Sequence, residues 1–163
     1  MYKVNDYLMY GKDVCQVKGI ELKKYNDKDY YLLIPVNDDT LKLEVPVDDP
    51  QNKMKKLIEK EELKKLINKI PDIETVDVEE KFLESEYKKL LATGNEEDLI
   101  KVIKTTYLRN KKRTENNKRK AEVDSVYLKE AEESLFTQIS AILDMSLDDA
   151  KNYFTKKIEE LAN

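Results

Sequence analysis

Glu59-Lys60-Glu61-Glu62-Leu63-Lys64-Lys65-Leu66-Ile67-Asn68-Lys69-Ile70-Pro71 is the stretch in which the chain changes its period. Leu63, Leu66, Ile67 and Ile70 recur three and four apart, the spacing that lines one face of an α-helix. Upstream the period is two. Leu41-Lys42-Leu43-Glu44-Val45 alternates apolar and polar side chains and stops at Pro46, which reads as a half-buried strand. Pro71 is the last of four prolines, and Gly11 and Gly19, two of the three glycines, precede it. Both residue types break helices, so their retreat after Pro71 marks a change of architecture. The expected class is α+β. A small SH3- or Tudor-like β-barrel module with a short terminal helix should occupy residues 1–71, and an all-helical module residues 72–163.

Four or five short strands are expected before the boundary. Tyr7–Tyr10 is apolar and aromatic; Val14–Lys18 alternates, reaches Gly19 and resumes at Ile20-Glu21-Leu22. Asn26-Asp27-Lys28-Asp29 reads as a polar turn, Tyr30–Ile34 as a strongly β-prone strand, and Asn37-Asp38-Asp39 as the next turn. Tyr30 and Tyr31 are adjacent, so one of them must face away from the core.

After the boundary, Phe82, Leu83, Tyr87, Leu90 and Leu91 predict a helix ending at Thr93-Gly94, with Gly94 just past its C-terminus. Asn95 is the expected cap of a helix that buries Leu99, Val102, Ile103, Thr106 and Tyr107. A further helix runs through Val123, Tyr127, Ala131, Leu135, Ile139 and Ile142. Ser146, paired with Asp149, caps a last one with Ala150, Tyr153, Phe154, Ile158 and Leu161 on one face.

Composition narrows the chemistry. The 163 residues carry 30 basic and 34 acidic side chains and no histidine, which removes the commonest general base and metal ligand. Cys15 is the single cysteine, so no internal disulfide or multi-cysteine zinc site is available, and its place between valines reads as a buried, inert thiol. Glu79, Glu80, Glu84 and Glu86 lack any histidine, metal cluster or phosphate loop to work with and read as a solvated face. The expectation is a monomeric, cytoplasmic binding protein rather than an enzyme, without cofactor, metal, small-molecule substrate, signal peptide or membrane span.

One local excess stands out. Between Leu99 and Lys120 there are nine cations, Lys101, Lys104, Arg109, Lys111, Lys112, Arg113, Lys118, Arg119 and Lys120, against the one acid Glu115. Such density neutralises backbone phosphates and drives salt-dependent binding to nucleic acid. The competing reading is a solvated helix end whose lysines complement the dipole.

Val4-Asn5-Asp6-Tyr7-Leu8-Met9-Tyr10-Gly11, then Tyr30-Tyr31-Leu32-Leu33-Ile34-Pro35 and Val45-Pro46-Val47-Asp48-Asp49, resemble the opening of CarD-type bacterial transcription regulators. Met54-Lys55-Lys56-Leu57-Ile58, Lys60-Glu61-Glu62, Ile70-Pro71, Ala92-Thr93-Gly94-Asn95, the helix Val102-Ile103-Lys104…Arg109 and Leu143-Asp144-Met145-Ser146 follow in the family's order. The resemblance covers nearly the whole chain. It implies a Tudor-like module, shared with transcription-repair coupling factor, that binds the RNA polymerase β subunit. It also implies a helical module that touches promoter DNA at the upstream edge of the transcription bubble, so that the protein modulates open-complex stability. The polymerase-facing candidates are Leu41, Lys42, Leu43, Glu44 and Val45, with Lys23 and Lys24 behind them. The DNA-facing candidates are the nine cations. The chain departs from the family in three places. Lys12-Asp13-Val14 stands where members often have His-Gly, Glu44 where they often have arginine, and there is no tryptophan to wedge into the minor groove. Phe82 is the nearest aromatic, readable as a wedge or as core. Without the wedge, a polymerase-binding adaptor that has lost DNA binding is the alternative.

Overall fold

The computed structural model describes residues 1–162. They divide into two compact units, Met1–Ile58 and the segment from Glu59 onward.

The first unit is an antiparallel sheet of β1 (Tyr7–Tyr10), β2 (Asp13–Tyr25), β3 (Lys28–Pro35), β4 (Leu43–Pro46) and β5 (Met54–Lys55). Its order is β4-β3-β2-β1-β5. The α+β class holds, but the pairing does not close a barrel. Among the described residues β4 pairs only with β3 and β5 only with β1, so the sheet is open with two short edge strands. The expected breaks at Gly19 and before Tyr30 are smaller than anticipated. β2 continues through Gly19 by a bulge, in which Val17 and Gly19 oppose Leu33 and Leu32 and Lys18 has no partner. The turn is only Asn26-Asp27, at φ +50° and +60°, closed by the pair Tyr25–Lys28. Two successive left-handed residues make the type I′ geometry that matches strand twist. Lys28 and Asp29 already belong to β3.

Leu8, Cys15, Val17, Tyr31, Leu33 and Val45 form the core of this unit. The two-residue period decides between the adjacent tyrosines. Tyr31 is buried and its hydroxyl accepts the Tyr2 backbone N–H at 2.9 Å, whereas Tyr30 packs edge-on against Tyr25 at 5.3 Å on the other face.

The second unit consists of α1 (Lys60–Asn68), α2 (Leu83–Thr93), α3 (Glu96–Glu115), α4 (Glu122–Leu143) and α5 (Leu147–Ala162), with single 3-10 turns at Ile70–Asp72 and Glu80–Phe82. The division therefore falls at Ile58, not at Pro71. The reason is packing: α1 buries Leu63 and Ile67 and lies against α5, so the helix expected to end the β module belongs with the other helices.

The caps follow the sequence in part. Gly94 stands in the left-handed conformation at φ +65°, and Ser146 Oγ accepts the Asp149 N–H at 3.1 Å. Asn95 holds the cap position of α3 without a side-chain hydrogen bond. Just before the helix, Thr93 Oγ1 accepts the Asn95 N–H and donates to Asp98 in the first turn of α3. On α3, Tyr107 is exposed and Ile103 half-buried, contrary to expectation, because Ile100, Thr105 and Asn110 share a broader buried face with Leu99, Val102 and Thr106. The Leu161 side chain, expected on the apolar face of α5, lies outside the described residues.

Candidate nucleic-acid interface

The end of α3 collects the basic residues. Asn117 adopts φ +58°, its N–H donates to the Thr114 carbonyl, and the Lys118 N–H reaches back to the Arg113 carbonyl at 2.8 Å. This paired bonding terminates the helix and reverses the chain. Arg113 Nε then donates to the Arg119 carbonyl at 2.8 Å, which draws Lys118-Arg119-Lys120 alongside the last turn. Lys111, Lys112, Lys118, Arg119 and Lys120 are exposed and Arg113 half-exposed, and among the described residues none of the six enters an ion pair. Lysine and arginine in the last turn also complement the negative end of the α3 dipole.

Three of the nine expected cations stand apart from this cluster. Lys104 points inward, and its Nζ donates to the carbonyls of Ile70, Pro71 and Ile73 at 2.9, 3.1 and 2.6 Å. It closes the turn after α1 and is not free to meet a phosphate. Lys101 lines a cavity of about 380 Å³ beside Lys69, Asp72, Glu74, Glu97 and Asp98, where acids outnumber bases.

Arg109 is held on two sides. Its Nε lies 3.1 and 3.2 Å from the two oxygens of Asp124, and its Nη1 and Nη2 donate to the Glu80 carboxylate at 3.2 and 2.7 Å. Asp124 is fully buried and also accepts the Tyr87 hydroxyl at 2.9 Å. Next to it Tyr127 Oη donates to Glu84 at 2.9 Å. Burial, and then the bond to Asp124, holds the Tyr87 hydroxyl well above the usual tyrosine range. Burial and Glu84 push Tyr127 up to about 12. The Arg109 hydrogen bonds hold the Glu80 carboxyl below its usual value.

Sequence reasoning missed this network, although one signal was present. Asp124 falls in phase with Tyr127, Ala131 and Leu135 on the apolar stripe of α4, and a carboxylate there requires a partner. Phe82, by contrast, is not core. It is 53% exposed, next to Glu80 in the same 3-10 turn, with Lys81 Nζ 5.1 Å from its ring.

The candidates on the sheet unit separate as well. Leu41 and Lys42 precede β4 and are exposed, Leu43 packs against the core and Val45 lies within it. Glu44 is paired with Lys24, which also binds Glu21, so these two candidates neutralise each other. The Lys24 hydrogen bond lowers the Glu44 pKa, and the bonds to Glu21 and then Glu44 raise that of Lys24. Lys23, at φ +48°, is exposed and anchored through its N–H to Asp29. The Val47 N–H donates to the Asp29 carbonyl, so by alternation the backbones of Leu43 and Val45 face β3 while those of Glu44 and Pro46 face outward. Proline has no N–H, which leaves the outer edge of β4 a single donor, at Glu44.

No protein-family model and no curated protein matches the chain. Among the described residues no helix is long and apolar enough to cross a membrane.

Proposed function

We propose that this protein is a transcription regulator of the CarD type. Its sheet unit, a Tudor-like module in this reading, binds the RNA polymerase β subunit; its helical unit contacts promoter DNA and modulates open-complex stability. The observation that carries the DNA half is the cluster of Lys111, Lys112, Arg113, Lys118, Arg119 and Lys120, gathered by the turn after α3 and without ion-pair partners among the described residues. In a chain whose net charge is −4, such a cluster is a phosphate-binding surface in waiting. The open β4 edge, flanked by exposed Leu41 and Lys42, supports the polymerase half, since a partner strand can extend a free sheet edge.

Titration with duplex DNA at two salt concentrations tests the DNA half. Affinity should fall steeply with salt, and Lys118→Gln, Arg119→Gln and Lys120→Gln together should flatten the slope by about 0.9 for each phosphate left unneutralised. A triple variant that binds like the wild type would refute it. Capture of the polymerase β lobe at low salt tests the other half, and no capture would sink it. The adaptor reading is favoured by the internal commitments of Lys104 and Arg109 and by the lack of tryptophan. Polymerase capture without measurable duplex binding would select it.

A further inference from the structure

Arg109 is bonded to two carboxylates of opposite character. Asp124 is fully buried and fixed by the Tyr87 hydroxyl; Glu80 is 70% exposed and sits in a one-turn 3-10 segment with no helix or strand between it and Ile73. Breaking the buried pair strands a charge without water, whereas an exposed pair separates at small cost. The Nε–Asp124 bonds therefore fix the plane of the guanidinium and aim its two outer nitrogens at solvent, where Glu80 now accepts from both. That fork fits two oxygens on one phosphate as well as two on one carboxylate. Arg113, one turn further along α3 and a member of the basic cluster, also acts electrostatically on Glu80. Exposed Phe82 adjoins it on the same turn.

We propose that the outer edge of Arg109 is a binding site for a DNA backbone phosphate and that Glu80 occupies it in the free protein as an internal phosphate mimic. The assignment rests on the reading of the helical unit as DNA-binding. When DNA binds, the Glu80 side chain rotates into water, Arg109 keeps Asp124, and a phosphate takes the two vacated donors. The interaction is self-limiting, because each phosphate must displace a tethered competitor.

The test is duplex titration of the full-length chain carrying Glu80→Gln, against Glu115→Gln. The second variant removes an equal charge at the last residue of α3, and Glu115 is not among the carboxylates bonded to Arg109 in the described residues. Glu80→Gln should bind about fivefold more tightly than Glu115→Gln, with a salt slope steeper by about 0.9 for the one further phosphate neutralised. Equal affinities would overturn the site while leaving the DNA reading intact. No binding by wild type or either variant would sink both. The Arg109 guanidinium resonances give a second readout that needs no change at Arg109. In Glu80→Gln they should shift with duplex and stay in place with inorganic phosphate at equal phosphate concentration. No shift with duplex, or saturation by inorganic phosphate, would overturn the assignment to a nucleic-acid backbone.

Discussion

The Tyr87 hydroxyl donates to Asp124 at 2.9 Å, joining α2 to α4 inside the helical unit and completing the shell of a carboxylate that has no contact with water. Arg109 supplies the opposing charge from α3, so three helices meet at one buried acid. Tyr87→Phe removes a donor from that acid and nothing else of consequence. It should destabilise the helical unit by about 1–3 kcal/mol, the range for a buried polar group left short of a partner. Urea unfolding followed by helical circular dichroism measures it. A shift too small to detect would mean that Arg109 alone satisfies Asp124.

The same bond sets an alkaline limit. Tyr87 has a folded pKa raised above its ordinary value of 10.0, so its contribution is fully present below that pH and is lost as pH rises above it, when the unfolded chain ionises first. Tyr127, pushed up to about 12, acts in the same direction. Helical stability should decline above pH 10, and Tyr87→Phe should flatten the decline. Tyrosinate absorbance should show that Tyr87→Phe removes a late-titrating group, and an unchanged titration curve would contradict this.

Lys104 and Lys118 look alike in sequence and should behave in opposite ways. Lys104→Met keeps the aliphatic stem but leaves the carbonyls of Ile70, Pro71 and Ile73 without their donor. The expected loss is about 2 kcal/mol of stability, as for hydrogen bonds to a charged group, with duplex affinity unchanged. Lys118→Gln should weaken duplex binding and leave the melting temperature in place. If Lys104→Met weakened binding as much as Lys118→Gln, its assignment to the fold would fail.

This contrast shows where reading the sequence stops. Period-two and helical spacing were legible along the chain, and so were the stops: Gly94 at the end of α2, Ser146 before α5, and one of Tyr30 and Tyr31 turned outward. These depend on neighbours within a few residues. The partners of Lys104 lie 31 to 34 residues away, and those of Arg109 lie 15 and 29 away, in elements whose packing no local pattern specifies. The place of α1 escaped for the same reason, since its packing partner is α5 at the other end of the chain. β5, two residues long, is too short to show a period, and the open sheet follows from which edges pair rather than from what any strand contains.

Cys15 is fully buried, and burial, with a smaller contribution from the Asp13 charge, pushes its thiol up to about 11. It should resist thiol reagents at pH 8 in the native protein and react at once in denaturant. Because the folded pKa is raised above 9.0, its contribution to stability holds below that pH and is lost between there and about 11. Rapid native-state labelling at pH 8 would show that the β2 core is open.

That thiol also reports on the hairpin beside it. Asp27 is held at φ +60° at the second central position of the Asn26-Asp27 turn, and Cys15 lies on β2, the strand that leads into it. Glycine adopts this conformation without steric cost, and Asn-Gly is the favoured pair for a type I′ turn. A β-branched residue there meets the left-handed penalty of about 1–2 kcal/mol. Asp27→Gly should therefore slow Cys15 labelling and Asp27→Val should accelerate it, by roughly fivefold for each kcal/mol if labelling proceeds through opening of the sheet. Both substitutions lie at the β2–β3 turn of the sheet unit, so the two Cys15 labelling rates should move apart in opposite directions from that of the wild type. Equal labelling rates in the two variants would show that the thiol is reached by a motion that leaves the β2–β3 turn intact.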